Sequence, residues 1–246
     1  ERIYGYLQDD VTRTFPTADL MLSLLLPEGL ERLESLPAFD PTGALRTFHL
    51  IIPIEESGKP VSALRQAFRV QPGLINWLLA EYSPSADLGQ GADFYPVAEK
   101  DSDESYADVF SLPKMPDADT IRKIHPMLSF HGVDILQQDL AARQLANALG
   151  QSLLKVKLPS EEPLQAALEK IYPAVRDARL LGAILYIQGC DLLIDKDGCL
   201  SPSAFEAVRL LDDTVILGSQ HPFFFGADMP GNDSALMSVP FEKLTA

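Results

Sequence analysis

Short apolar stripes, each closed by a proline or glycine, set the rhythm of the first third of the chain. Residues 3–10 read as a short helix. In "TRTFPTADLMLSLLLPEG", Thr17 is a cap candidate after Pro16, Leu20, Met21, Leu24 and Leu25 form the apolar stripe of a second helix, and Pro27 ends it. The pattern then moves toward β-branched residues and alternation, which predicts a strand over residues 45–54. "EESGKP" reads as a turn, and "VSALRQAFRV" as either a returning strand or a short helix. "QPGLINWLLAE" closes the block as a helix with Leu74, Ile75, Leu78 and Leu79 on one side.

The pattern breaks at residues 81–120, which hold ten acidic residues, two lysines and four prolines. Few apolar positions repeat there, so the stretch reads as an irregular surface connection that Phe94, Tyr95, Tyr106, Val109 and Phe110 could pin to a neighbour. This divides the chain into a first domain at 1–81, an acidic, proline-containing connection at 82–120, and a second domain at 121–246. Beyond the connection, strands alternate with helices. "PMLSFHG" is a buried strand, and "DLAARQLANALG" a helix with Leu140, Leu145, Ala148 and Leu149 inward and Gly150 as its stop. "SLLKVKL" is a strand. "SEEPLQAALEKIYPAVRDARLLG" is a longer helix, capped by Ser160 and kinked at Pro173. "AILYI" is continuously apolar, as expected of a strand covered on both faces. "SPSAFEAVRLL" is a helix, while "TVILG" and "ALMSVPFE" are strands. Such alternation implies a parallel sheet with right-handed crossovers.

Composition narrows the functions. The 35 acidic residues against 20 basic ones give a formal charge of −15, which argues against a surface that wraps nucleic acid. An apolar fraction of 46% and a mean hydropathy of +0.03 fit a folded domain. No apolar run reaches the length of a membrane span. Cys190 and Cys199 make no disulfide framework and read as reduced thiols. The opening "ERIYGYL" lacks an initiator methionine and a signal pattern, so the expectation is a cytoplasmic piece of a longer protein.

The strand, turn and helix in "LSFHGVDILQQDLAARQL" have the length and place of a phosphate-binding loop. Such a loop needs glycines whose amides approach phosphate, a lysine for the outer phosphates, and a hydroxyl for magnesium. With Gly132 as the first glycine, Gln137, Gln138 and Asp139 fall on the final glycine, the lysine and the hydroxyl. Gln137 adds bulk and Gln138 carries no charge. Asp139 would repel an anion at a helix N-terminus, where a capping role is simpler. The strand "AILYI" leads into Gln188, Gly189 and Cys190 before Asp191, one carboxylate where hydrolysis needs an acidic pair. Asp191 therefore reads as a satisfier of loop amides. Ser219 and Gln220 after "TVILG" have no metal or phosphate partner, and "FFFGADMPGNDSALMSVPF" supplies no arginine finger.

These blocks resemble a family. "ILYIQGCDLL" is similar to the second acidic motif of AAA+ ATPases, with Gln188 and Gly189 at the Asp-Glu positions and Asp191 at the following Asp. "GVDILQQDLAARQLANALG" lies over the phosphate loop and its helix, and "VILGSQ" over the strand carrying the first sensor. "YGYLQDDVTRTFPTADLMLSLL" resembles the variant winged-helix region before the ATPase domains of certain large bacterial AAA+ proteins, some associated with phage-tail-like contractile injection systems. The resemblance implies an α+β winged-helix-like domain followed by an α/β P-loop-NTPase-like (AAA+) parallel-sheet domain without the helical lid. It implies no cofactor in this fragment, and ATP and Mg for a downstream AAA+ domain in the parent. The implied partners are proteins, including that downstream domain and a homo-oligomer of the full protein, and neither nucleic acid nor membrane.

Other chemistry finds little support. In "IDKDGCLSPSAFE", setting Gly198 at the sixth position of a calcium loop puts Leu193 and Ala204 where the entry and bidentate ligands belong, so a turn is the better reading. His49, His125, His131 and His221 show no zinc spacing with the cysteines. The leading expectation is a non-catalytic adaptor or assembly module. The alternatives are an ATPase with a noncanonical loop and a DNA-binding module using Arg2, Arg13, Arg46, Arg65 and Arg69.

Overall fold

The structure, a computed structural model, describes residues 2–54, 61–81, 88–97, 113–158, 163–226 and 236–241. They divide into two compact units, Glu1–Ser83 and Pro84–Ala246. The expected turn "EESGKP", the cap Ser160, and Tyr106, Val109 and Phe110 lie outside the described residues.

In the first unit, helix α1 (Arg2–Leu7) is followed by α2 (Ala18–Leu25), whose cap Thr17 accepts the amide of Leu20 at 3.3 Å. Helix α3 (Leu30–Ser35) runs into a 3-10 turn at Leu36–Phe39, and α4 (Ala44–Thr47) precedes strand β1 (Ile51–Pro53). A 3-10 turn at Ala63–Arg65 leads to β2 (Phe68–Val70) and then to α5 (Pro72–Leu78). The strands β1 and β2 pair antiparallel, Ile51 opposite Val70 and Pro53 opposite Phe68. Ala18, Leu22, Phe39 and Phe68 form the core, with the two phenyl centroids 5.6 Å apart.

Three expectations change here. The strand over 45–54 is a helical turn followed by a three-residue strand, separated by His49 at φ 50°, a left-handed reversal no strand accommodates. "VSALRQAFRV" supplies both a short helix and a returning strand. The stripe of α2 is inward only at Leu20 and, in part, Met21; Leu22 joins them, and Leu24 and Leu25 face solvent. Likewise Ile75 and Leu78 of α5 and its C-cap Leu79 are exposed.

The second unit is built on one six-stranded sheet. Strand β3 (Ala92–Tyr95) comes first, then α6 (Ala118–Ile124), β4 (Met127–His131), α7 (Ile135–Leu149) and β5 (Ser152–Lys157). Helix α8 (Leu164–Leu181), β6 (Ala183–Gln188), α9 (Pro202–Arg209), β7 (Val215–Ser219) and β8 (Leu236–Pro240) complete it. The order is β3-β5-β6-β7-β4-β8, with β3 antiparallel to β5 and the other neighbours parallel. The stretch read as an irregular connection therefore contributes an edge strand. Its Phe94 and Tyr95 lie opposite Leu154 and Leu153, and the guanidinium of Arg143 sits 3.8 Å over the Tyr95 ring, which offsets the weak periodicity.

All six residues of β6 are buried, as its unbroken apolar pattern requires. One sheet face packs Leu128, Phe130, Ile184 and Tyr186 against Ala141, Ala142, Leu145 and Leu149 of α7, with Ile121 of α6 alongside. No residue of α8 joins that cluster; α8 packs on β5 and β6 with α9 beside it, on the opposite face. Within α7, Ala148 is exposed and Leu140 only half-buried, so the inward face is set by Ala141, Ala142, Leu145 and Leu149 instead. Gly150 and Gly182 stop α7 and α8 in the left-handed conformation. Helix α8 runs on through the buried Pro173 without interruption.

Candidate functional site

In open α/β sheets a ligand crevice forms at the carboxyl ends of the strands, where neighbouring strands send their connections in opposite directions. Here β4 connects to β5 past β7 and β6, whereas β7 connects to β8 on the far side of β4. The carboxyl ends of β4 and β7, with β6 next to them, are that place. In register, His131 lies beside Ser219, and Gln188 beside Gly218. The residues compared with the nucleotide-binding motifs lie on these strand ends and in the segments that follow them.

The turn from β4 to α7 comprises only residues 132–134, because α7 begins at Ile135. It has the place of a phosphate loop but not its length. Asp134 caps the helix by accepting the amide of Gln137 at 3.1 Å. That carboxylate occupies the position from which free helix amides would face an anion. Gly132 adopts φ 143°, and a Cβ there would lie 2.1 Å from the carbonyl oxygen of Phe241. Its lack of a side chain serves the close approach of the chain after β8, whose Phe241 amide bonds the carbonyl of His131 at 2.7 Å.

Gln137 and Gln138 are buried in the first turns of α7. Gln138 Nε2 donates to the carbonyl of Gly132 at 2.9 Å and to that of Ser219 at 3.2 Å. One side-chain amide thus joins the carboxyl ends of β4 and β7 across the crevice. Its Oε1 faces Gly218, where it and Tyr186 leave no room for a Cβ.

Asp139 caps nothing. It sits inside α7, where its carboxylate accepts Gln188 Nε2 at 3.0 Å and pairs with Lys155 Nζ of β5. Both charged side chains are about six-sevenths buried, at 15% and 13% exposure. The hydroxyl of Tyr186 is buried nearby, and burial followed by the Asp139 charge pushes its pKa well up. Among the described residues that hydroxyl has no partner in hydrogen-bonding geometry.

A second group ties the loops. Asp191 accepts the amide of Gln220 through both oxygens, at 2.9 and 3.1 Å, and His221 Nδ1 stands 3.6 Å away. Ser219 Oγ donates to the carbonyl of His221 at 2.7 Å. Gly189, at φ 83°, bonds through its amide to the carbonyl of Gly218 at 3.0 Å. Cys190 is buried, and burial pushes its thiol up out of the reactive range.

Residues suited to ATP and magnesium are not what this arrangement offers. A side-chain amide bridges the strand ends, the helix N-terminus carries its own carboxylate, and the Lys155 ammonium beside them is neutralised by Asp139. Lys155 and Tyr186 belong to the site but escaped the sequence reading. Their signal was a charge and a hydroxyl at positions of otherwise apolar strands that alternation places on the face of α7.

Elsewhere, Asp195 forms a turn, accepting the amides of Asp197 at 2.9 Å and Cys199 at 2.8 Å with Gly198 at φ 78°. No group of three or more His, Cys, Asp or Glu among the described residues is arranged to hold a metal, and no described helix is long and apolar enough to cross a membrane.

A family model described as a variant winged helix domain matches residues 1–92. The N-terminal region is a winged-helix-like domain. Its helices and the ribbon of β1 and β2 supply the α+β architecture, and the match extends past Ser83 to the first residue of β3. A mixed parallel and antiparallel sheet domain follows it. No curated protein matches the chain.

Proposed function

We propose that the chain is a non-catalytic adaptor or assembly module, in which a winged-helix-like domain precedes an AAA+-like domain whose nucleotide crevice is closed by its own side chains. In this reading it binds protein partners and positions a downstream AAA+ motor of a longer protein, as in the assembly of contractile injection systems. The observation that carries the proposal is Gln138, which bonds Gly132 and Ser219 where a ligand would enter. The Asp139–Lys155–Gln188 cluster beside it supports the same reading, because it spends on β5 and β6 the charges that phosphate chemistry would use.

Titration with a fluorescent ATP analogue and magnesium tests the proposal. No saturable signal is expected up to about 1 mM, a range where weak sites still register. Saturable micromolar binding would overturn it in favour of a noncanonical ATPase.

Duplex binding has less support. The helix before the ribbon, α4, has four residues with one arginine, too short to lie along a groove. Arg13 is committed to Asp10 and to the carbonyl of Arg65.

A further inference from the structure

Helix α3 presents an energetic puzzle. It has six residues, none buried, and its N-cap Gly29 offers no side-chain bond. So short a helix does not stand alone in water. Its described support is Arg32, which reaches back to the carbonyl of Leu26 at 3.1 Å and to Ser23 Oγ at 3.4 Å, tying α3 to the last turn of α2. At this tied corner four leucines face solvent: Leu24 at 62%, Leu25 at 78%, Leu30 at 68% and Leu33 at 66%. Leu30 and Leu33 are three residues apart and share one side of the helix. Four exposed leucines on two short helices joined through Arg32 read as a contact surface rather than the scattered leucines of an ordinary exterior.

Charge identifies what covers it. Glu28, Glu31 and Glu34 are all exposed around the corner, while the guanidinium of Arg32 is occupied by backbone and Ser23. Ser23 also lines an adjoining cleft of about 580 Å³, into which Asp9, Asp10 and Asp19 face with Arg13 and Arg65. Arg13 is paired with Asp10, and Arg65 offsets one of the exposed carboxylates Asp9 and Asp19, so the cleft keeps a net negative charge beside the three glutamates. A second copy of this chain, at −15, would bring like charge to the corner.

We propose that the leucine corner of α2 and α3, with its acidic cleft, docks an amphipathic protein helix whose apolar stripe is flanked by lysine or arginine. The proposal rests on the partner-binding half of the adaptor reading and names its surface; the nucleotide crevice plays no part in it.

The whole chain is titrated into two fluorescein-labelled helical probe peptides, with leucines at i, i+3, i+4 and i+7 and flanking lysines in one, glutamates in the other. The lysine probe is expected to bind saturably, at least about tenfold tighter than the glutamate probe, and to weaken with salt. The double variant Leu25→Ser with Leu33→Ser should weaken it about tenfold while leaving the thermal melt unchanged, because both positions are exposed. Absence of lysine-probe binding, equal affinity for the two probes, or binding unchanged in the double variant overturns the proposal. So does concentration-dependent dimerisation abolished by that variant, which would assign the corner to a second copy. Nucleotide binding would sink the closed-crevice reading and leave this one standing.

Discussion

In the second unit β6 buries all six of its residues and α7 covers a sheet face with Ala141, Ala142, Leu145 and Leu149, whereas in the first unit α3 buries none and four leucines of α2 and α3 meet solvent. The apolar fractions of the two sequences look alike, but a sheet offers each neighbouring helix a broad surface, and a two-stranded ribbon with three paired positions does not. The same residue type therefore serves as core in one unit and as exterior in the other. Polar side chains divide in a parallel way. In the second unit Gln138, Asp139, Lys155 and Gln188 are consumed internally, while around α3 the glutamates remain open.

The largest effect that sharpens this contrast is expected from Phe130→Ala. Phe130 is fully buried, with its ring 5.1 Å from that of Phe241, so the substitution should cost about 3–5 kcal/mol in urea unfolding of the second unit. Leu33→Ala in the first unit should cost about 0.5 kcal/mol or less, and a larger loss would show that α3 carries structural weight invisible in its burial.

Asp139→Ala should cost about 2–3 kcal/mol by leaving Lys155 buried without its counter-charge, and the Lys155→Met partner should recover much of that in a double-mutant cycle. Additive losses would mean that the pair does not act as a unit. Gln138→Ala comes next, at about 1–2 kcal/mol, since the carbonyl of Gly132 loses its side-chain donor and that of Ser219 keeps only the Gly132 amide. An ATP analogue titrated into the same variant gives a second readout: micromolar affinity that the parent chain lacks would assign the proposed closure to the Gln138 side chain, and no gain would point to the capped, short turn.

The smallest expected effect is a pH slope. Burial lowers the pKa of His131, whose Nε2 lies 2.9 Å from Ser238 Oγ. The unfolded chain then binds a proton more readily than the folded one. Stability from this group is present above the ordinary histidine value of 6.5 and is lost as pH falls through it toward the depressed folded value. Unfolding followed between pH 8 and pH 5 should show a slope that His131→Asn reduces.

Much of this was legible from local pattern. Thr17 as a cap, Gly150 as a stop, the order of the later strands and helices, and the unbroken burial of β6 follow from dihedral preference and period, which depend on near neighbours. The absence of a phosphate-binding lysine was equally plain at Gln138. What could not be read locally was where each polar side chain would find its partner. Asp139 looked like a cap because it was taken as the helix start; Asp134 begins the helix five residues earlier, and one and a half turns place Asp139 over Lys155 and Gln188. Nor could alternation reveal that the acidic connection donates β3, since four residues gain their reason for extension from β5.

The sequence by itself determined the periodic elements and the absence of a phosphate-loop lysine and an acidic pair at the positions compared, because both are properties of side chains at short spacing. Only the tertiary structure decided that Gln138, Asp139, Lys155 and Gln188 are crosslinked across the strand ends, and that the leucines of α2 and α3 face outward. Those outcomes depend on which distant strands lie side by side, here β4 against β7 across a sequence separation that no local period can encode.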